Sequence, residues 1–173
     1  MSIFFSYIRL FVFLGCTLIG IQIPALVDQY GKSLESHLIE SQRALGEFQN
    51  DADKYFNGSL EKLISHYKEN GDQIFNAGGN SIQSIYDRNL VLKKSFQEFQ
   101  SGSWAAYSQT LLSPVPDVKA EVLKNYSYSI QLAPKAIAFG LVFALILAMA
   151  IESLLRLLFL LPKMLGRSLR PAR

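Results

Sequence analysis

The chain has 173 residues, of which half are hydrophobic, and its formal net charge is +3. Its mean hydropathy is positive because apolar residues concentrate towards the two ends, and this distribution excludes an ordinary soluble domain. The single cysteine, Cys16, excludes an intramolecular disulfide and the zinc frameworks that are built from several cysteines.

The first apolar run extends from Leu10 to Val27, contains no charged residue and follows Arg9 directly. At about 1.5 Å per residue, a helix of this length spans ~27 Å, close to the thickness of a bilayer's hydrocarbon core. A cleaved signal peptide has only ~7–15 apolar residues before a small-residue cleavage site, and no such site follows here. A lipoprotein anchor at Cys16 is disfavoured because the apolar run continues well beyond it. We therefore predict a retained transmembrane helix over residues 10–27, after a cytoplasmic N-terminus of residues 1–9.

A heptad pattern continues from this run into the central part of the chain. Its moderately apolar positions alternate steps of four and three: Val27, Gly31, Leu34, Leu38, Ser41, Leu45, Phe48, Ala52 and Tyr55. The pattern predicts a long helix that ends at Asn57-Gly58, with Pro24 as the place for a kink. We expect this helix to pair with a second long helix in an antiparallel coiled-coil or bundle-like arrangement.

Shorter helices are predicted to follow. Ser59 is a typical N-cap and starts an amphipathic helix that ends at Asn70-Gly71. The glycines of the segment Asp72–Asn80 indicate a loop. A third helix comes next and is broken by Ser101-Gly102-Ser103. Its inward positions again step by three and four: Ile82, Ile85, Asn89, Leu92, Phe96 and Phe99.

A short helix around Trp104 and a last helix capped by Asp117 complete this central region, and an extended stretch is expected over residues 126–132. From Asp28 to Lys135 the sequence has 11 Lys and Arg and 13 Asp and Glu, a net charge of −2. A nucleic-acid site would need a basic surface, so we predict none.

The second apolar run extends from Ala136 to Leu161 and is opened by Pro134, a residue favoured in the first turn of a helix. Glu152 and Arg156 interrupt it. Two geometries fit: a span of residues 134–158 with a buried pair between these charges, or a span that ends near Glu152 with Arg156 snorkelling at the interface. We assign residues 134–158 to the second transmembrane helix and residues 159–173 to a basic cytoplasmic tail.

The distribution of basic residues predicts the orientation. Arg9 precedes the first run, and four basic residues follow the second run with no acid among them: Lys163, Arg167, Arg170 and Arg173. By the positive-inside rule both termini are cytoplasmic. The predicted fold class is an all-α membrane protein in which two transmembrane helices flank a helical periplasmic domain, residues 28–133.

One face of the second run carries small residues at successive i+4 positions that lead to the two charges: Ala136, Gly140, Ala144, Ala148, Glu152 and Arg156. This small-residue ridge is a candidate helix-packing or partner face, because small side chains let another helix approach closely. It could pack against the first span of the same chain, or against another copy or another membrane protein. Charges within a membrane are costly, so Glu152 and Arg156 are the best functional candidates, with an ion pair near the interface as the structural alternative.

No residue pattern indicates catalysis, a cofactor or a metal. His37 and His66 are the only histidines, and neither has metal-ligand spacing. The segment around Gly78-Gly79 lacks the Lys-Ser/Thr of a phosphate-binding loop. We therefore predict that the protein is not an enzyme. Four aromatic residues are interpreted as a belt at the membrane surface: Trp104, Tyr107, Tyr126 and Tyr128.

Several short segments carry a family resemblance: Gly20-Ile21-Gln22-Ile23-Pro24, Val27-Asp28-Gln29-Tyr30, His37-Leu38, Tyr55-Phe56-Asn57-Gly58-Ser59-Leu60, Leu63-Ile64-Ser65-His66-Tyr67 and Tyr126-Ser127-Tyr128 before Pro134. Together they resemble a bacterial family of small two-span inner-membrane proteins classed as a domain of unknown function. The resemblance covers nearly the whole chain. It implies the two-span topology and a bacterial inner-membrane location, and it implies no activity, substrate or catalytic residue.

The leading functional hypothesis is a non-enzymatic subunit or scaffold of an envelope complex. Its expected partners are the lipid bilayer and another membrane protein or a second copy of the chain. One alternative is a periplasmic sensor domain that acts through a membrane partner, since the cytoplasmic tail is too short for an output domain. Another is a small homo-oligomeric channel that uses the face of Glu152.

Overall fold

The computed structural model describes residues 3–127 and 134–168, with side chains for 7–127, 134 and 136–153. These described residues form six helices: α1 (Ile3–Tyr55), α2 (Leu60–Glu69), α3 (Gln73–Gln100), α4 (Ser103–Leu111), α5 (Pro116–Lys124) and α6 (Pro134–Ser168). The part of the chain described in this way has no strand, which confirms an all-helical fold. Of the stretch expected to be extended, Tyr126 and Ser127 are in neither helix nor strand, and residues 128–132 lie outside the described residues.

The chain divides into two compact units. Unit 1 comprises Met1–Leu26 and Ser127–Arg173, and unit 2 comprises Val27–Tyr126. Helix α1 contributes to both units because it continues for 53 residues, with Pro24 in its interior. The predicted start of α6 at Pro134 is confirmed, since this proline is the first residue of the helix.

The predicted end of α1 at Asn57-Gly58 is confirmed. Both residues have positive φ, 51° at Asn57 and 82° at Gly58. The N–H of Gly58 donates to the carbonyl oxygen of Ala52 at 2.9 Å, which satisfies a carbonyl in the last turn of the helix. After this turn Ser59 caps α2, as its hydroxyl oxygen accepts the N–H of Lys62 at 3.3 Å.

The heptad face of α1 is buried through most of unit 2. Leu34 and Ala52 are completely inaccessible to solvent. Five other positions of the pattern are buried: Val27, Gly31, Leu38, Ser41 and Leu45. Tyr55, the last position of the pattern and the last residue of α1, is instead 75% exposed.

Helix α3 runs antiparallel to the part of α1 in unit 2. Near the start of that part, the ring of Phe99 lies against Gly31, and its centroid is 6.1 Å from that of Tyr30. Near its end, Tyr86 packs against a core cluster that includes Ala52. Later residues of α1 therefore lie beside earlier residues of α3. Coiled-coil packing of the two helices stays a prediction.

The loop predicted over Asp72–Asn80 is wrong. Asp72 is the N-cap of α3, since its carboxylate accepts the N–H of Ile74 at 2.7 Å, and Gly78 and Gly79 lie inside the helix. A Cβ on Gly79 would lie 3.0 Å from the backbone nitrogen of Lys68, at the end of α2. The glycine allows the close approach of α2 and does not break α3.

The predicted cap of α5 is also wrong. Val115 is the N-cap and Pro116 is the first helical residue, a position at which the missing N–H of proline costs nothing. Asp117 lies in the first turn, where its carboxylate accepts a hydrogen bond of 2.5 Å from Arg88 of α3. The short helix predicted around Trp104 is confirmed as α4.

Replacing Gly79 by Ala is expected to destabilise unit 2. Alanine is the better helix former by ~1 kcal/mol, but a methyl group against the backbone of α2 costs about 1–3 kcal/mol when the helices cannot move apart. Gly46→Ala in α1 is the matched control, because a Cβ there meets no atom within 4 Å. Thermal unfolding of the full chain in mild detergent, followed by circular dichroism, measures both variants. An equal gain in stability in both would contradict the close approach.

Candidate functional site

The small-residue ridge of α6 meets α1 within unit 1 at a contact between two glycines. A Cβ on Gly140 would overlap the side chain of Ile21, and it would lie 3.2 Å from the carbonyl oxygen of Thr17. A Cβ on Gly20 would lie 3.0 Å from the Cα of Gly140. Each helix therefore lacks a side chain where the other comes closest, as is typical of membrane helices that associate through small residues.

The rest of the described ridge also faces inward. Ala136 and Ala144 are buried, and Ala148 and Glu152 are partly buried. On α1, Cys16 and Ile21 are buried near the glycine contact. The opposite faces of both helices carry exposed large apolar side chains, among them Phe11, Leu14, Leu18, Leu145, Ile146 and Met149.

Glu152 at the end of the ridge pairs with Arg9 of α1. The guanidinium Nη2 of Arg9 donates to Oε1 of Glu152 at 2.8 Å. Arg9 is 11 residues before Gly20, and Glu152 is 12 residues after Gly140. The ion pair therefore lies ~17 Å along the same antiparallel helix pair from the glycine contact.

Sequence reasoning considered Arg156 as the partner of Glu152 and missed Arg9. The side chain of Arg156 lies outside the described residues. The sequence does contain an indication of this pair, because Arg9 and Glu152 each border the uncharged part of an apolar run. When two apolar helices of similar length pack antiparallel, the residue that precedes the first helix and the residue that follows the second lie close together.

Unit 2 contains a polar layer, formed by Ser41 and Asn89, inside its apolar seam. Ser41 Oγ and Asn89 Nδ2 are buried, and neither has a hydrogen-bond partner in the structure. Ser41 lies ten residues after Gly31, and Asn89 lies ten residues before Phe99, the residue that contacts Gly31. Because the helices are antiparallel and rise equally per residue, Ser41 and Asn89 lie at the same level. Polar residues in a helical seam favour one register at a cost in stability.

Tyr30 connects α1 to the segment between α4 and α5. Its side chain is 1% exposed, and its hydroxyl oxygen accepts the backbone N–H of Val115 at 2.9 Å. Burial raises the pKa of the Tyr30 phenol above its ordinary value, so the hydroxyl stays neutral through the physiological pH range. The hydrogen bond holds Val115, the N-cap of α5, against α1.

Polar side chains join the remaining helices of unit 2. Nε2 of His37 lies 2.8 Å from Oε2 of Glu121, which links α1 to α5. The hydrogen bond from Arg88 lowers the pKa of Asp117, and the hydrogen bond from Tyr86 lowers the pKa of Glu61. These carboxylates therefore stay charged and keep their partners well below neutral pH.

The histidines and the aromatic residues are dispersed. The ring of His66 packs against the ring of Phe56 in a tilted arrangement, with 5.3 Å between centroids. Among the described residues no three of the His, Cys, Asp and Glu side chains are grouped so that they could hold a metal ion. Of the proposed aromatic belt, Trp104 is highly exposed, Tyr107 and Tyr126 are partly buried, and Tyr128 lies outside the described residues.

These features define a class of all-helical protein with two helices that are long and apolar enough to cross a membrane, one within Tyr7–Tyr55 and one over Ala136–Ser153. The family model described as Protein of unknown function (DUF2937) matches residues 4–163, and the chain belongs to this family. The resemblance to a family of unknown function is thereby confirmed. Comparisons with curated proteins and with solved structures found no match.

Gly140→Ala is expected to loosen the helix pair of unit 1. The new methyl group forces α6 away from Ile21, and such overpacking costs about 1–3 kcal/mol, or a fall of roughly 4 °C or more in unfolding temperature. Cys16 is buried in this unit and is the only cysteine, so its reaction with a fluorogenic maleimide during heating in mild detergent reports the loosening.

Gly15→Ala is the control for this measurement, because a Cβ at that position meets nothing within 4 Å. Unchanged exposure of Cys16 in Gly140→Ala would show that the glycine contact does not hold the helices together.

Asn89→Leu is expected to raise the stability of unit 2. The substitution removes a buried amide donor without a partner, and such a donor costs about 1–3 kcal/mol. Asn80→Leu, at an exposed position of α3, controls for the higher helix propensity of leucine. Chemical unfolding of the full chain followed by circular dichroism compares the two. A gain no larger than that of Asn80→Leu would indicate that a water molecule satisfies the amide in solution.

Proposed function

We propose that the chain is a non-enzymatic membrane protein that crosses the bilayer twice and serves as a structural or accessory subunit of an envelope complex. The observation that carries this proposal is the construction of unit 1. Its two apolar helices are joined by the contact between Gly20 and Gly140, while their outer faces present large apolar side chains. Such faces are unfavourable in water and suited to lipid.

The ion pair between Arg9 and Glu152 supports an inner end of the second span close to Glu152, the shorter of the two geometries considered. Arg9 immediately precedes the first apolar run, so the two charges reach the same surface of the bilayer and pair where headgroups and water solvate them. Basic residues without an acid follow Glu152 towards the C-terminus, which supports cytoplasmic placement of both termini and periplasmic placement of unit 2.

The polar contacts of unit 2 support a structural role. Several of its described polar contacts join different helices, as between His37 and Glu121 or between Arg88 and Asp117. The channel alternative loses support, because it requires Glu152 to face other copies of the chain, and Glu152 pairs with Arg9 of the same chain. Partners of the complex are expected on the outer faces of α1 and α6 or on unit 2.

The topology is tested with single cysteines placed in a Cys16→Ser background and labelled in intact cells by a membrane-impermeant maleimide. Asn50→Cys, on an exposed position of α1 in unit 2, is expected to react from outside once the outer membrane is permeable. Ser168→Cys is expected to react only after the inner membrane is opened. Gly15→Cys lies within the first apolar run on an exposed position of α1, so lipid is expected to shield it and it serves as the unreactive control. Reaction of Asn50→Cys and Ser168→Cys from the same side of the inner membrane would contradict the arrangement with two spans and cytoplasmic termini.

The accessory role is tested by affinity purification of the full chain in mild detergent after crosslinking in the membrane. A membrane protein or a second copy is expected to co-purify in a fixed ratio. A monomer without any crosslinked neighbour, from cells that express the chain at its normal level, would overturn this role and leave the two-span topology untouched.

A further inference from the structure

One end of unit 2 carries exposed apolar side chains on and beside α4. Trp104 is 85% exposed and Leu112 is 82% exposed, and Leu111 is also exposed. Trp104 and Leu111 are seven residues apart, so they lie on the same face of α4. These three residues are called the α4 face. Residues 99–116 around it contain no charged side chain, whereas the rest of unit 2 is rich in charge.

The α4 face lies at the end of unit 2 at which α1 enters from its apolar run. Gly31 of α1 lies against Phe99 of α3, so the antiparallel pairing places Ser101 level with Gln29, and α4 begins just beyond. On the other side of the α4 face, the N–H of Val115 binds the hydroxyl of Tyr30. Both flanks of the face are therefore held at the level of residues 29–31 of α1.

This level is close to the end of the apolar run. Tyr30 is three residues after Val27, which corresponds to ~4.5 Å along α1. A bilayer has a hydrocarbon core of ~30 Å and a total thickness of ~40–45 Å, so each headgroup layer is roughly 5–7 Å deep. When the run of residues 10–27 spans the core, the level of Tyr30 falls within the headgroup layer.

We propose that the α4 face docks on the lipid surface, with the indole of Trp104 at the depth of the headgroups. This inference rests on the two-span arrangement proposed above. Indole rings prefer this depth because they combine a large apolar surface with one N–H donor. An uncharged segment loses no ionic hydration there. The contact fixes the membrane-facing end of unit 2 and leaves the opposite end, near Tyr55 and Phe75, open to water and to partners.

Trp104 is the only tryptophan, so the fluorescence of the unaltered chain reports on this face alone. The full chain is placed in nanodiscs of phosphatidylcholine and phosphatidylglycerol, with part of the phosphatidylcholine brominated at a shallow or a deep acyl position. Shallow bromine is expected to quench Trp104 about twofold more than deep bromine, because the indole lies near the headgroups. Acrylamide in the water is expected to quench it more weakly in nanodiscs than free tryptophan.

Two variants in a Trp104→Phe background provide the controls. Phe75→Trp places the probe at an exposed position at the opposite end of α3, where acrylamide but no brominated lipid should quench it. Leu14→Trp places the probe on the exposed face of the first apolar run, where deep bromine should quench it most.

The outcomes separate the two proposals. Quenching of Leu14→Trp by deep bromine, together with Trp104 fluorescence that no brominated lipid changes, overturns the docking and retains the spans. If acrylamide also fails to reach Trp104 in that case, protein and not lipid covers the α4 face. Absence of lipid quenching at both Leu14→Trp and Trp104 overturns the two-span arrangement itself.

Discussion

The close approach of other helices to α1 at two of its glycines is the constraint on which both units depend. Gly20 meets Gly140 of α6 in unit 1, and Gly31 meets the ring of Phe99 in unit 2. Neither glycine breaks the helix, because α1 is continuous from Ile3 to Tyr55. Glycine lowers the stability of a helix relative to alanine, and close packing with the neighbouring helices offsets that loss. One helix thereby sets the register of α6 in unit 1 and of α3 in unit 2.

Register then decides which polar groups meet. In unit 1 it brings Arg9 to Glu152 at one end of the apolar pair. In unit 2 it places Ser41 and Asn89 at the same level, and neither the buried Oγ of Ser41 nor the buried Nδ2 of Asn89 has a hydrogen-bond partner. The first arrangement satisfies charges that would be costly in lipid, and the second makes the seam less stable than an apolar one. A shift by one seam position would bring the amide level with Leu38 or Leu45, so a polar layer of this kind favours the observed alignment of α1 and α3.

These contacts change the interpretation of the small-residue ridge from a partner face to a packing face within the chain. From sequence it was the first place to look for a partner, because Gly140 and Ala144 leave room for another helix. In the structure α1 of the same chain occupies the contact at Gly140. Among the described residues, the outer apolar faces of unit 1 and the α4 face around Trp104 are exposed, and they are the surfaces that the proposals above assign to lipid and to partners.

Sequence by itself determined the helical character of the chain, its family and most helix ends. The cap at Ser59, the stop at Asn57-Gly58 and the start at Pro134 depend on backbone preferences of the residues themselves, so they could be predicted locally. Tertiary structure decided what depends on a neighbour. Gly79 lies inside α3 where α2 approaches closely, Glu152 pairs with Arg9 because two distant runs are antiparallel, and Ser41 lies level with Asn89 because Phe99 packs against Gly31. Such contacts join residues far apart in sequence, and no local preference specifies them.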